Sequence, residues 1–444
     1  MIDKGLLELV LSGQKKKIEN RAGERLFCRS GEPQVDLDSP QAQVVTGVRG
    51  CGKTSLCLKA LHERGVRFAY ADFSDERLAG LRSDQLNDVL EVLYKINGDF
   101  SFLFLDEIQT VEGWELFANR LLRKRMHVIA AGSDAGLLSG KSATHLTGRN
   151  KVTELFPMSF REFCMAREVD TESRTAKAEA FRRTAFDQYL MCGGFPEARS
   201  AGESRRYAAG LVSDVLRETE ERCGISCTAA FESMTEHLLS SVPYTAVPKD
   251  LAGKFGFRSE HTARKYIDCL KGSYLLTGIQ KYSPESRIRL TQEKLYAADT
   301  ALMATGENAL SAAGMDQRLG TIVLAHLIRS CRAEGLDVRY LSGRSGECGF
   351  VVCSGSNVRE AIQVSSDISD KAARRLKIRG LLLAERQTGC TDLLLLTHHN
   401  REDIEVSGCH IRIRPVYEWC LVTIHSRLVQ ELQPSIFEGY FIAA

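Results

Sequence analysis

A glycine-rich loop constrains this chain more than any other feature. Residues 47–55 read GVRGCGKTS, which satisfies the pattern G-x-x-x-x-G-K-[ST]. The preceding QAQVVT predicts a buried strand, and the following SLCLKALHERG predicts a helix. In that context, backbone amides can wrap phosphates at a helix N-terminus. We therefore predict an α/β fold with a nucleotide-binding loop of the P-loop type.

Nine loop residues are predicted to bind ATP. Lys53 is expected to reach the outer phosphates, and the Thr54 hydroxyl to ligate Mg2+. The full set is Gly47, Val48, Arg49, Gly50, Cys51, Gly52, Lys53, Thr54 and Ser55.

A second predicted strand, in SFLFLDEIQ, ends in the adjacent carboxylates Asp106 and Glu107. Ligands of α/β folds bind at this carboxyl edge of the strands. Asp106 is predicted to hold Mg2+, and Glu107 to take a proton from the attacking water. An acidic helix cap is the alternative, but the order of the two motifs favours an ATP site.

Two further residues are candidates for catalysis. A third strand, in HVIAAGS, ends in Ser133, which can contact the γ-phosphate or orient the water; a helix cap is the alternative. Arg149, in HLTGRN, is a candidate arginine finger, acting in cis or from a neighbouring subunit. Its alternative is a solvated surface arginine.

Several blocks of sequence resemble one family. FLFLDEIQTVEGWELFANRLL, AAGSDAGLLSGKSATHLTGR, ELFPMSFREF and YLMCGGFPEA are similar, in type and order, to blocks of AAA+-like ATPases of bacteria and archaea. The resemblance runs from about Leu26 to Leu421 and implies ATP binding and hydrolysis, with Ser133 at the sensor position. Gly50 and Cys51 depart from the residues usual in the family, but neither change affects a phosphate-contacting role.

The resemblance also implies the domain order. Residues 1–160 are expected to form the AAA+-like P-loop core, and 161–228 a helical lid. Within the lid, Gly193 and Gly194 are expected to form a hinge or an interdomain contact, with a simple helix-ending turn as the alternative. Residues 229–293 are expected to form a winged helix-turn-helix, and 294–444 an α/β domain distantly similar to restriction endonucleases.

The helix-turn-helix segment is locally basic. Residues 249–289 carry nine Lys or Arg against four Asp or Glu, a balance of +5 in a chain whose net charge is +2. A recognition helix exposing His261, Arg264 and Lys265 can enter the major groove of DNA. Many winged helices serve only as protein-contact or lid modules, so a DNA partner and a protein partner both stay open.

The C-terminal segment lacks the residues of a nuclease metal site. A restriction-endonuclease core needs two or three carboxylates and a lysine around Mg2+. The positions that resemblance assigns to them hold Gly320, Gly349, Gln363 and Ser365, which leaves Glu347 alone. Nuclease activity is therefore not expected. The pair His398–His399 is set aside as a metal site, because adjacent residues of a strand point to opposite faces.

Composition narrows the classes of function that this chain can have. The net charge of +2 argues against a chain that binds polyanions over its whole surface, and no apolar run approaches the roughly 20 residues of a membrane helix. The fourteen cysteines include no CxxC pair, a pattern typical of reduced thiols in a cytoplasm. We expect a cytoplasmic ATPase, capable of oligomerising, that couples ATP to DNA engagement or to a protein-interaction switch.

Overall fold

The computed structural model describes residues 2–21, 29, 35–138, 148–198, 201–283, 292–303 and 311–422. The chain divides into two compact units. Unit 1 comprises Met1–Pro157 with Cys269–Tyr274, and unit 2 comprises Met158–Asp268 with Leu275–Ala444. The three C-terminal segments predicted as separate domains lie in unit 2, except that Cys269–Tyr274 of the winged-helix segment belongs to unit 1. Residues 139–147, within the block AAGSDAGLLSGKSATHLTGR, and residues 284–291, within the predicted winged helix, lie outside the described residues.

Unit 1 is built on a five-stranded sheet, ordered β2-β3-β4-β1-β5, in which every paired strand is parallel. The strands are β1 (Ala42–Thr46), β2 (Phe68–Asp72), β3 (Phe102–Asp106), β4 (His127–Gly132) and β5 (Asn150–Glu154). All five residues of both β1 and β3 are buried. Such continuous apolar strands are typical of parallel sheets covered on both faces.

In the described residues up to Pro157, this unit contains the helices α1 (Lys4–Arg21), α2 (Lys53–Arg64), α3 (Leu86–Asn97) and α4 (Trp114–Arg123). The apolar side chains of α1, α3 and α4 share one core with strands β1–β4. The strand order places β1 beside β4, and β4 beside β3. Consequently the segments that follow these three strands meet at one carboxyl edge, where α/β folds bind ligands.

Within the described residues, unit 2 begins with four helices, of which the first three fall in the segment predicted as a lid and the fourth in the segment predicted as a winged helix. They are α5 (Phe160–Ala166), α6 (Ala176–Cys192), α7 (Ala201–Cys223) and α8 (Thr228–Ser241). Two glycines end α6 in a tightly packed turn. A Cβ on Gly193 would lie 1.8 Å from Asp299 Oδ1, and one on Gly194 would lie 2.2 Å from the Met158 carbonyl oxygen. Close contact with these two residues therefore requires glycine at both positions.

Beyond α8, the segment predicted as a winged helix contains two further helices and three short strands, the last of which extends past residue 293. They are β6 (Tyr244–Ala246), α9 (Pro248–Phe255), α10 (Glu260–Gly272), β7 (Leu276–Gln280) and β8 (Glu293–Ala297). The strands form an antiparallel sheet ordered β6-β8-β7. Gly256 ends α9 in the left-handed conformation, with φ of 70°. On α10, His261, Arg264 and Lys265 are exposed.

The rest of unit 2 is a six-stranded sheet, ordered β13-β14-β12-β11-β10-β9, with a parallel centre formed by β11, β12 and β14. Its strands are β9 (Asp337–Gly343), β10 (Gly346–Ser354), β11 (Asn357–Ser365), β12 (Leu393–Thr397), β13 (Glu402–Val406) and β14 (Cys409–Pro415). The helices are α11 (Ala312–Ala333), which carries the buried Gly320, α12 (Lys371–Thr388) and α13 (Val416–Trp419).

One prediction for this region is wrong. Strand β12 ends at Thr397, so His398 and His399 lie beyond it and do not follow the alternation of a strand. Their rings stack with centroids 3.7 Å apart and an interplanar angle of 29°. The argument that separated the two imidazoles onto opposite faces therefore does not apply.

Within the described ranges, no helix is both long and apolar enough to cross a membrane.

Candidate nucleotide-binding site

The loop between β1 and α2 depends on glycine for two separate reasons. At Gly47, φ is 148°, and an added Cβ would lie 2.0 Å from the carbonyl oxygen of Leu155. Gly50 and Gly52 have φ of 78° and 101°, values that L-residues rarely adopt. Close packing therefore selects the first glycine, and backbone conformation selects the other two.

Lys53 occupies the inside of this loop and is only 4% exposed. Its Nζ donates to the carbonyl oxygens of Gly47, at 2.9 Å, and Val48, at 3.3 Å. The same Nζ lies 3.7 Å from Glu107 Oε1. The fold thus brings the loop lysine and a carboxylate from the end of β3 into one buried ion pair. The sequence predicts Lys53 as an ATP-binding residue and Glu107 as a catalytic one.

Asp106 joins the loop to the sheet. Its Oδ2 accepts hydrogen bonds from the hydroxyls of Thr54, at 2.6 Å, and Tyr70, at 3.1 Å. Its Oδ1 is buried and has no hydrogen-bond partner within the described part of the chain. Burial, followed by the charge of Glu107, raises the pKa of Asp106 to about 7. A buried carboxylate with a spare oxygen is costly unless a further ligand engages it.

This arrangement fits Mg2+. The cation prefers oxygen ligands and is commonly held by one or two protein groups together with substrate phosphates. The Thr54 hydroxyl and the Asp106 carboxylate are oxygen donors in mutual contact, and Asp106 Oδ1 is available as a ligand. These two residues are the ones that the sequence predicts for the metal.

Glu107 is held by three hydrogen bonds to its Oε2. The Ser133 amide donates at 3.1 Å, the Ser133 hydroxyl at 2.8 Å and Gln109 Nε2 at 2.6 Å. Burial raises the pKa of Glu107, but Lys53 and the bonds from Gln109 and Ser133 outweigh it, so that the pKa lies below its ordinary value. The carboxylate is therefore ionised at neutral pH. Its backbone is left-handed, with φ of 50°, a conformation that costs energy in a non-glycine residue and is often found at functional sites.

The structure does not bring Arg149 to these groups. Its carbonyl oxygen accepts from the Ala42 amide at 2.8 Å, and Ala42 pairs with Asn150 at the start of the parallel strands β1 and β5. The loop begins at the other end of β1, about 13 Å away along the strand. An arginine finger acting in cis from this position is thus excluded by the direction of the sheet. The side chain itself is exposed.

Sequence reasoning missed several groups that touch the site. Tyr70 comes from β2, and nothing local in its sequence marks it as a partner of Asp106. Gln109 lies inside the DEIQ block, which offered a signal. Arg29 donates to the carbonyl oxygens of Cys51, at 2.8 Å, and Phe156, at 2.5 Å, and Tyr274 donates its hydroxyl to Thr46 Oγ1 at 3.0 Å. These two long-range contacts carried no recognisable pattern.

The positions of the predicted degenerate nuclease site satisfy one another. Glu347 forms an ion pair with Lys294. The Gly349 amide donates to Gln363 Oε1 at 3.0 Å, and Gln363 Nε2 donates to the Glu347 carbonyl oxygen at 2.8 Å. The Ser365 hydroxyl donates to a backbone carbonyl two residues on, at 2.8 Å. Polar groups paired in this way stabilise the sheet locally, as expected for Gln363 and Ser365.

Comparison with family models supports the assignment of unit 1. Residues 39–164, which contain the loop, Asp106, Glu107 and Ser133, match a model described as an AAA domain. Unit 1 has the parallel α/β fold of AAA+-type ATPases. Residues 183–312 match a domain of unknown function, which crosses the predicted boundaries at 228/229 and 293/294.

Relatives extend over most of the chain without a described activity. A protein of Methanocaldococcus jannaschii, named uncharacterized protein MJ1544, is 26% identical and covers 95% of this chain and 96% of its own. An uncharacterized protein of Haemophilus influenzae is 27% identical and covers 86% and 95%. The Walker-type ATPase PABY2304 of Pyrococcus abyssi aligns structurally with a TM-score of 0.39 and 15% identity, covering 68% of this chain and 95% of that one.

Proposed function

We propose that this chain is an AAA+-like ATPase that binds ATP with Mg2+ and hydrolyses it in unit 1. One observation carries the proposal: three segments of the chain bring Thr54 to Asp106, and Lys53 and Ser133 to Glu107, through hydrogen bonds and an ion pair, and the two sets of contacts meet at the adjacent residues 106 and 107. A fortuitous glycine turn explains none of these contacts.

The roles follow from the geometry. Lys53 is buried as a cation and is available to the outer phosphates once it leaves the carbonyl oxygens of the loop. Mg2+, held by Thr54 and Asp106, would neutralise charge on phosphate oxygens. Glu107 is ionised and accepts bonds from Ser133, so it can accept a proton from a water that takes the place of the serine hydroxyl.

Hydrolysis assays test this assignment directly. Lys53→Ala should abolish ATP binding, because it removes the cation that pairs with the phosphates. Glu107→Gln should retain binding and lose roughly 10²–10⁴-fold in turnover, the range for removing a general base. Glu112→Gln, at an exposed position in the same unit, is the matched control. Unchanged turnover in Lys53→Ala and Glu107→Gln would mean that the site is misassigned.

We further propose that ATP is coupled to DNA engagement through the helix-turn-helix segment, residues 249–289. The exposed His261, Arg264 and Lys265 on α10 support this reading, as does the local charge of that segment. Replacing Arg264 and Lys265 together by Ala should weaken duplex binding and lower the dependence of log K on log salt by about 1 for each lost phosphate contact. Replacing Lys371 and Arg375, at exposed positions of α12, together by Ala controls for the change in net charge. An equal loss of DNA affinity in both double variants would reject α10 as the DNA-binding surface.

A second function is favoured by the C-terminal sheet. Its nuclease-like positions are paired with one another, with Glu347 neutralised by Lys294, which suits a docking scaffold controlled by nucleotide state. This reading predicts partner capture that differs between ATP and ADP and persists with Glu107→Gln protein in ATP. Equal recovery under all these conditions would count against it.

Arg149 is proposed to act only from a neighbouring subunit. If it does, Arg149→Ala and Lys53→Ala proteins should each be inactive alone and regain turnover when mixed, because some interfaces then pair an intact loop with an intact arginine. Full activity of Arg149→Ala protein would make it a solvated surface residue.

A further inference from the structure

Two imidazoles and a carboxylate converge in unit 2, whereas the residues of the nucleotide site belong to unit 1. Asp187 lies on α6, and His398 and His399 follow β12. One ligand atom from each residue lies within 4.8 Å of the other two. His398 Nε2 is 2.8 Å from Asp187 Oδ1, and the rings of His398 and His399 stack at 3.7 Å. We propose that these three side chains bind a divalent transition-metal cation of the Zn2+ class.

The donor set selects this class of ion. Neutral imidazole nitrogens suit Zn2+, Co2+, Ni2+ and Cu2+, whereas Mg2+ and Ca2+ prefer sites made of oxygen alone. Ligand atoms bind Zn2+ at about 2.0–2.2 Å, so atoms up to 4.8 Å apart must approach by small rotations. Asp187 and His399 are exposed and have room to rotate, while His398 is half-buried, with its ring 6.1 Å from that of Phe186.

A simple ion pair accounts for only part of this arrangement. The contact between Asp187 and His398 explains one imidazole, but it leaves the second stacked on the first without an acceptor of its own in the cluster. Two protonated rings at that distance would repel each other. A divalent cation would take a lone pair from each neutral ring instead.

One positively charged side chain near the cluster has partners of its own. Arg183, one turn before Asp187 on α6, is engaged elsewhere: its Nε donates to the Tyr417 hydroxyl at 3.2 Å, and its guanidinium pairs with Glu179. The bound ion would join α6 to the segment after β12, 211 residues apart in sequence between Asp187 and His398. Three protein ligands leave at least one coordination position for water.

The test uses the full chain without a histidine tag and without nucleotide. Zn2+ binding is measured by titration calorimetry, and the ligands are identified by the absorption of the Co2+ form. We expect one saturable site in the wild type. His399→Ala and Asp187→Asn should each lower the Zn2+ affinity at least about tenfold, because the loss of a residue that only hydrogen-bonds to a metal ligand already costs that much. His410→Ala, at an exposed position on β14, should bind like the wild type.

Two further readouts separate this site from the alternatives. A sulfur-to-cobalt charge-transfer band would assign the metal to cysteines, such as the exposed Cys227, and would overturn the proposal. Zn2+ should also raise the unfolding temperature of unit 2 in the wild type but not in His399→Ala protein, followed by Trp419 fluorescence with Trp114→Phe in both. Equal Zn2+ affinity of these two proteins, or no saturable binding by the wild type, would overturn it as well. None of these outcomes depends on ATP hydrolysis.

Discussion

Replacing Asp106 by Asn should change how the stability of unit 1 depends on pH. The wild-type carboxyl is 3% exposed, and its pKa is raised from 3.8 to about 7 in the folded protein. Because the folded state holds the proton more tightly than the unfolded chain, the group favours folding fully below pH 3.8. That contribution is lost as the pH rises towards 7.

The size of the effect follows from these two values. From pH 5 to pH 8, the contribution of this carboxyl to the free energy of unfolding falls. The fall corresponds to about 2 pKa units, or about 3 kcal/mol at 1.36 kcal/mol per unit. The asparagine does not titrate, so the free energy of unfolding of Asp106→Asn protein should gain about 3 kcal/mol on the wild type over this range. A constant cost of placing an amide where Oδ1 lacks a partner cancels in that comparison.

Urea unfolding at several pH values measures this difference. The chain has two tryptophans, and Trp114 is buried in unit 1. In a Trp419→Phe background, its fluorescence therefore reports unit 1 alone. Asp84→Asn, at an exposed position of the same unit, should follow the wild-type profile. If the free energies of unfolding of the wild type and of Asp106→Asn protein changed in parallel from pH 5 to pH 8, burial would not raise the pKa of Asp106 as argued.

Two other substitutions test the site. Gly47→Ala should abolish ATP binding, because its Cβ would lie 2.0 Å from a backbone oxygen; Gly65→Ala, also left-handed but with open space around it, should cost about 1 kcal/mol of stability and bind ATP normally. Equal affinities in equilibrium titration would refute the packing argument. Tyr70→Phe should cost about 0.5–1.5 kcal/mol in unfolding free energy, since it removes the hydroxyl bonded to Asp106, and a wild-type urea midpoint would show that this bond adds nothing.

The local elements around the loop could be predicted from the sequence because they depend on short-range patterns. Apolar runs ending at Thr46, Asp106 and Gly132 became β1, β3 and β4, and the predicted helix after the loop became α2. In a parallel sheet, carboxyl ends share one edge. The prediction that Lys53 and Asp106 lie at one site needed no more than that.

The sequence alone therefore determined the loop, the strands beside it and the order of the motifs along the chain. It could do so because residue spacing and glycine content control local backbone conformation. Only the tertiary structure decided which distant groups complete the site, with Tyr70 bonded to Asp106 and Leu155 packed against Gly47. It also placed Arg149 at the opposite edge of the sheet. It also decided where β12 stops, and so whether His398 and its neighbour can meet. Contacts between residues far apart in sequence arise from strand pairing and packing, which leave no short-range pattern to read.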